Sequence, residues 1–447
     1  MEKYESVIGT RYKAIFMSRI WSKHYRIEQM RLLWVVLALS QKNLGVKIIT
    51  DEAISELYEK VNVIDIDKIN EYEALLKHDI MAHIKAYSEL CPIGGKIIHL
   101  GATSNFINDN VDSILIKKSF KKIKDQLNNL IMGMVKNANK TVAIPTIAYT
   151  HLQPAQLITI GRRFSMWTED LMMDQKELDK IQIPFRGIKG TVGSEDTLMK
   201  LFENDTKKCD ELNKQMARAY GFENTIFVCG QTYSRKYDVR YIHILSSICQ
   251  SIYKMMNDLR LLSGKQEVYE DFSEHQVGSS AMPYKKNPIT CEKICSLCRF
   301  VINNEQNMTQ TYINQWLERS LDDSAIKRIV LPECFLLMEN ILNSSLEVIK
   351  KLKFNTEHIE KQVNEHMINI ISEEIILKGV VMGYNRQDIH ERLRLILTMN
   401  TCPTFDSLSS DVIIWNIIKN NKISFNPLDY IGRSIEQSKI YTEKHIV

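Results

Sequence analysis

The chain has 447 residues, 44% of them hydrophobic and 25% charged, with a formal net charge of +4. That balance fits an ordinary soluble protein and excludes collagenous, disordered and strongly basic nucleic-acid-binding classes. The charge studded through Met1–Arg19 argues against a secretory signal, and the apolar run Leu32–Leu39 is too short to span a bilayer, so no membrane is expected. Nine scattered cysteines are an odd number and predict no disulfide framework, hence a reducing, cytoplasmic setting.

Nine prolines and 17 glycines are few for this length, and long helices are expected from their scarcity. Ile116, Phe120, Ile123, Leu127, Leu130 and Met134 alternate spacings of four and three. Phe164, Trp167, Leu171, Leu178 and Ile181 keep the same beat with one polar gap at Asp174, as do Leu245, Ile248, Ile252, Met255, Leu259 and Leu262. This is the seam of helices packed at a shallow angle. A helix from about Ser234 to Leu262 would run roughly 45 Å, a length that belongs to an elongated bundle. Val142–Ile147 and Thr225–Cys229 are the short β-prone pieces, and no strand–helix alternation recurs. Neither GxxxxGK[ST] nor GxGxxG occurs, and RGIKGTVG (186–193) reads as a turn-rich loop. The expected fold is all-α, in three helical domains: residues 1–103, a central long-helix bundle over 104–354, and 355–447.

Several segments are too polar to be packing. The first is Thr10-Arg11-Tyr12, followed by Lys77-His78-Asp79 with His83 nearby. Next come HLGATSNFINDN (99–110), THLQPAQ (150–156) and GQTYSRK (230–236). The last two are GSSAMPYKKNP (278–288) and QWLERSLDDSAIKR (315–328). Each has a bland reading. His151 alone is a surface loop histidine, and Arg319 and Arg328 are a solvated helix start whose charge Asp322 or Asp323 offsets. Applied to every segment at once, the bland reading fails. Cys291, Cys295 and Cys298 form C-x3-C-x2-C, a spacing also found at iron–sulfur clusters. Their place on a periodic apolar run instead predicts small buried hydrophobes on one helix face. No HExxH or paired CxxC points to zinc.

GSSAMPYKKNP resembles the mobile loop of the fumarase/aspartase superfamily. The ordered series RYK, KHDIMAH, IIHLGATS, YTHLQPAQL, FRGIKGT, GQTYSRK, QWLERSLDDSA and NRQDIHE, from about Arg11 to Arg394, resembles the adenylosuccinate lyase family, its animal-type branch in particular. The resemblance implies β-elimination of fumarate from adenylosuccinate and from the succinyl-carboxamide ribotide of purine synthesis. It also implies a homotetramer with active sites shared between subunits and no metal or organic cofactor. By resemblance Ser279 is the general base, His151 the general acid, and His78 either its support or a holder of the succinyl carboxylate. Lys285 and Asn287 hold the charge of the carbanion. Thr103 and Ser104 match the carboxylate-binding hydroxyls, and Gln231 matches a substrate-orienting residue. Arg11, Tyr12, Ser324 and Arg328 match the phosphate side, and Arg319 a second substrate arginine. Asp79 falls with the same substrate-binding set. Lys77 and Lys293 stand where relatives often carry arginine, which keeps the charge and loses the planar fork.

Overall fold

The uninterrupted apolar seams become long helices. The computed structural model describes residues 6–271, 281–399 and 404–445. The helices that carry the argument are α1 (Lys23–Asn43), α2 (Ile66–Leu76), α3 (Asp79–Leu90), α4 (Ser104–Lys140), α5 (Ile160–Asp179), α6 (Lys236–Gly264), α7 (Ile289–Ile313) and α8 (Asp323–Lys351). At 37 residues, α4 is about 55 Å long. The helix expected from about Ser234 to Leu262 is α6, displaced by two residues at each end.

Starts are set by side-chain caps that satisfy the otherwise orphaned first amides. Ser22 Oγ accepts from Tyr25 N at 3.1 Å to open α1, and Asp65 Oδ1 accepts from Lys68 N at 3.0 Å to open α2. By length and composition α8 could cross a membrane, but 61% of its apolar window is buried, as in a core helix.

The chain divides into two compact units whose cuts fall inside α4, α5, α6, α7 and α8. The first comprises residues 1–127, 174–250 and 296–343. Its core packs the buried Trp34, Tyr87, Phe106 and Phe185 against Leu33, Leu115 and Leu212.

The second unit comprises residues 128–173, 251–295 and 344–447. It contains an antiparallel hairpin, β1 (Pro145–Thr150) and β2 (Gln153–Thr159), with a bulge between Ile147 and Tyr149. The final helix, Ser434–His445, is pinned by Ser438 Oγ against Ser165 Oγ at 2.9 Å and by Thr442 Oγ1 donating to Asn139 Oδ1 at 2.7 Å.

The polar stretch THLQPAQ is therefore mostly strand. Only His151 and Leu152 form its turn, and Pro154 sits in a two-stranded sheet where its missing N–H breaks no interior ladder. Of Thr225–Cys229, only Thr225 makes a bridge, to Phe185. Cys291, Cys295 and Cys298 are buried along α7, and burial pushes the Cys291 thiol far up, so it behaves as an inert hydrophobe.

Candidate active site

A cleft of about 790 Å³ opens in the first unit, lined by residues within 21–30 and by four further separated segments. The first is the junction between α2 and α3. Lys77 ends α2 in the left-handed conformation, at φ 53°. The chain then turns extended at His78, whose Nδ1 caps α3 by accepting from Met81 N at 3.3 Å. Asp79 enters the first turn of α3, where the helix dipole favours a carboxylate. Its Oδ2 receives Arg328 Nη2 at 2.7 Å. That pair is exposed and adds little stability, but it sets where the Arg328 fork lies.

The second segment is the start of α4, with Ser104 and Asn105 on the cleft. The backbone amides of a helix start favour an anion. Thr103, just outside the cleft lining, has a buried Oγ1 that finds no hydrogen-bond partner among the described residues.

The third is Gln231. Its backbone N donates to the Glu318 carbonyl at 2.9 Å. Its Oε1 accepts from Asn105 Nδ2 at 2.9 Å, and its Nε2 donates to the Thr191 carbonyl at 3.0 Å. The neighbouring backbone comes so close that a Cβ on Gly230 would lie 2.5 Å from the Glu318 oxygen. Glycine is required there by close approach.

The fourth is the entry to α8, bringing Arg319, Ser324 and Arg328. Lys77, His78, Asp79, Ser104, Gln231, Arg319, Ser324 and Arg328, scattered over some 250 positions, thus share one cleft. Arg11 and Tyr12 belong to the same unit but do not line it.

Part of the cleft wall is a charge network that sequence reasoning missed. Arg235 is 2% exposed and bonds Asp323 Oδ2 through Nε and Nη2, both at 2.6 Å. Its Nη1 reaches Asp109 Oδ1 at 2.9 Å and Asp238 Oδ2 at 4.0 Å. Lys327 Nζ lies 3.1 Å from Asp112, 3.6 Å from Asp109 and 3.7 Å from Asp238. Arg26 holds the other oxygen of Asp112 at 2.6 Å. Burial opposes ionisation of Asp112, yet Arg26 and Lys327 outweigh it and hold the carboxyl well below the usual range. For Asp238 burial wins and the carboxyl is pushed up, despite Lys327 and Arg235. Most of these residues fall in or beside the flagged polar segments. Their types were visible, but their burial was not.

His83 and His99 are both held neutral. Burial pushes His83 down to about 4, with Asp79 only partly countering it. Burial does the same to His99, again to about 4, and Trp34 Nε1 donates to its Nδ1 at 2.9 Å. The unfolded chain takes up these protons near pH 6.5, the folded one only near pH 4. Stability from both rings is therefore full above pH 6.5 and declines as pH falls toward 4. By pH 5 the loss is about 2 kcal/mol per ring. Thermal melting between pH 7.5 and 5 is expected to show it, and His99→Gln should flatten the profile. A melting temperature constant over that range contradicts the assignment.

The remaining site residues lie in the second unit or outside the described residues. Ser279 is among the latter, with Gly278 and Ser280. His151 and Leu152 form the tip of the β1–β2 hairpin at φ 53° and 61°, the left-handed pair of a two-residue turn matched to strand twist. The hairpin is anchored through Glu267, which accepts from Tyr149 Oη at 2.6 Å and Thr146 Oγ1 at 3.2 Å. Lys285 is exposed, with its N donating to the Met282 carbonyl at 3.1 Å, and Asn287 is partly buried beside it. Lys293 is partly buried on α7 and donates to Ser344 Oγ at 3.1 Å. Burial draws its ammonium below the usual value, against the pull of Glu270 and Glu347.

A family model described as Lyase matches residues 15–303. In fold, the chain is similar to a 3-carboxy-cis,cis-muconate lactonizing enzyme from Pseudomonas putida. The TM-score is 0.87 at 17% identity, covering 99% of each chain. It is also similar to a fumarate lyase from Mesorhizobium sp. BNC1, with a TM-score of 0.84 at 18% identity, covering 97% of this chain and 98% of that one. These likenesses speak for the fold, and the family match puts the chain in the lyase class. Relatives named adenylosuccinate lyase are 34% identical in Saccharomyces cerevisiae and 37% identical in Schistosoma mansoni, each alignment covering 100% of this chain and 95% of the relative. One from Pyrococcus abyssi is 30% identical over 96% of this chain and 95% of its own length. The chain belongs to the adenylosuccinate lyase family.

Proposed function

We propose that the protein splits adenylosuccinate into AMP and fumarate, and SAICAR into AICAR and fumarate, by β-elimination. The observation that carries this reading is the convergence of eight expected substrate residues on one cleft of the first unit. The cations Lys77, Arg319 and Arg328 on that cleft suit a substrate with several anionic groups, and guanidinium suits phosphate through its planar fork.

Ser279 removes the proton from the carbon beside a succinyl carboxylate. The electron pair left behind forms the carbon–carbon double bond of fumarate as the carbon–nitrogen bond breaks. His151 delivers a proton to the departing nitrogen, a role imidazole suits because it titrates near working pH. Between these events two negative charges sit on adjacent groups, and fixed donors stabilise such charge more than any other device. Lys285 and Asn287 supply them, while His78, Thr103 and Ser104 hold the carboxylate. Gln231 orients the substrate through its remaining amide hydrogen. Arg11, Tyr12, Ser324 and Arg328 take the phosphate, and Lys77, Asp79, Lys293 and Arg319 complete the binding set. The protein acts in the cytoplasm as a homotetramer that shares sites between subunits, without cofactor, each chain built of the domains 1–103, 104–354 and 355–447.

Incubating the purified protein with adenylosuccinate, SAICAR and argininosuccinate, and following fumarate, tests the reading. Release from the two purine substrates is expected. Release from argininosuccinate alone, or none from any, overturns it.

A further inference from the structure

We infer that Asp323 is the positioning residue that fixes Arg319 on the cleft for an anionic group of the substrate. The inference rests on the reading above, that the cleft takes a succinyl nucleotide.

Asp323 opens α8, and its side chain is 2% exposed. Its two oxygens are divided between two guanidinium groups. Oδ2 takes Nε and Nη2 of Arg235, and Oδ1 takes Nη1 of Arg319 at 2.7 Å. Arg235 is restrained on its remaining edge as well, where Nη1 pairs with Asp109 on α4 at 2.9 Å. A fixed cation thus clamps one side of the carboxylate and leaves the other side aimed at Arg319. Asp322, the neighbouring aspartate, is exposed and has no such partner among the described residues.

The Nη1 of Arg319 also donates to the Ser320 carbonyl. Among the described residues its Nε and Nη2 donate to no protein group, and the side chain lines the cleft at 22% exposure. One nitrogen therefore anchors the fork and the rest faces the site. Asp109, Arg235, Asp323 and Arg319 together sum to zero charge, so an incoming anion meets an oriented guanidinium within a neutral group. Arginine loses much rotamer freedom when it binds, and ordering it beforehand turns that cost into affinity.

The test compares Asp323→Asn, Arg319→Ala and the double variant with the wild type. Asp323→Asn is expected to raise KM for adenylosuccinate by ~10–100-fold with kcat within about threefold, the scale of one lost charge-assisted hydrogen bond. The double variant should be no worse than Arg319→Ala alone, because the carboxylate acts through that side chain. Multiplying effects in the double variant, or an unchanged KM in a folded Asp323→Asn, overturns the inference. Asp323→Glu keeps the charge beside Arg235 while displacing the oxygen that faces Arg319, and it carries the test if the asparagine variant does not fold. Its KM is expected to rise similarly. A wild-type value, or failure of both variants to fold, overturns the inference. Calorimetric titration with AMP and with fumarate reads the same loss without turnover. Absence of fumarate release by the wild type defeats the functional reading, whereas unchanged affinities for both products in Asp323→Asn defeat this one.

Discussion

His151→Asn is expected to lower kcat for fumarate release by ~10²-fold or more, the usual scale for lost acid–base catalysis. Asparagine tolerates the left-handed backbone at this position, whereas alanine would add strain to the loss of the ring. The side chain is exposed, and Tyr149 and Thr146 still bind Glu267, so the melting temperature should stay within a degree or two of the wild type. Loss of activity without loss of stability marks a side chain that serves the reaction and not the fold. Turnover within tenfold of the wild type removes His151 from that role. If sites are shared, mixing this variant with Ser279→Ala subunits should partly restore activity. No recovery after confirmed subunit exchange counts against shared sites.

The second large effect is on stability. Arg235→Ala removes a cation that lies within 4.0 Å of Asp109, Asp238 and Asp323, leaving only Lys327 near the first two and Arg319 on the third among the described residues. Breaking a buried ion network by removing one partner typically costs ~3–5 kcal/mol, because uncompensated charge remains in a poorly solvated place. Burial works against the Arg235 charge, yet its aspartates overcome this and push it well above the ordinary arginine value. Urea denaturation should register the loss as a lower midpoint. A change below ~1 kcal/mol would mean that water reaches the network and screens it.

The helical architecture was legible because it rests on period and punctuation. Three–four seams and scarce glycine and proline select long helices whatever surrounds them, and the observed α6 departs from expectation by two residues at each end. The hairpin that carries His151 was less legible. Thr150–Gln156 is polar and contains a proline, which reads as loop. Its strand pairing comes from partners three to fourteen residues apart and from anchorage on the distant Glu267. Strand propensity is set largely by such context.

Residue types and order determined the chemistry on offer by themselves. The loop GSSAMPYKKNP resembles that of the fumarase/aspartase superfamily and the ordered segments from Arg11 to Arg394 resemble the adenylosuccinate lyase family, and that resemblance implied an anion-binding elimination site. Tertiary structure decided which charges serve the cleft and which serve the fold. Arg235 and Arg319 are chemically alike, lie in flagged segments and line the same cleft, yet one is 2% exposed and locked between aspartates, while the other is 22% exposed with Nη1 on Asp323. Asp322 and Asp323 are adjacent and chemically identical, and only the turn into α8 buries one of them and aims its oxygens at two arginines. A sequence states a charge, but its role depends on solvation and on partners brought from far along the chain, and these exist only once the chain has folded.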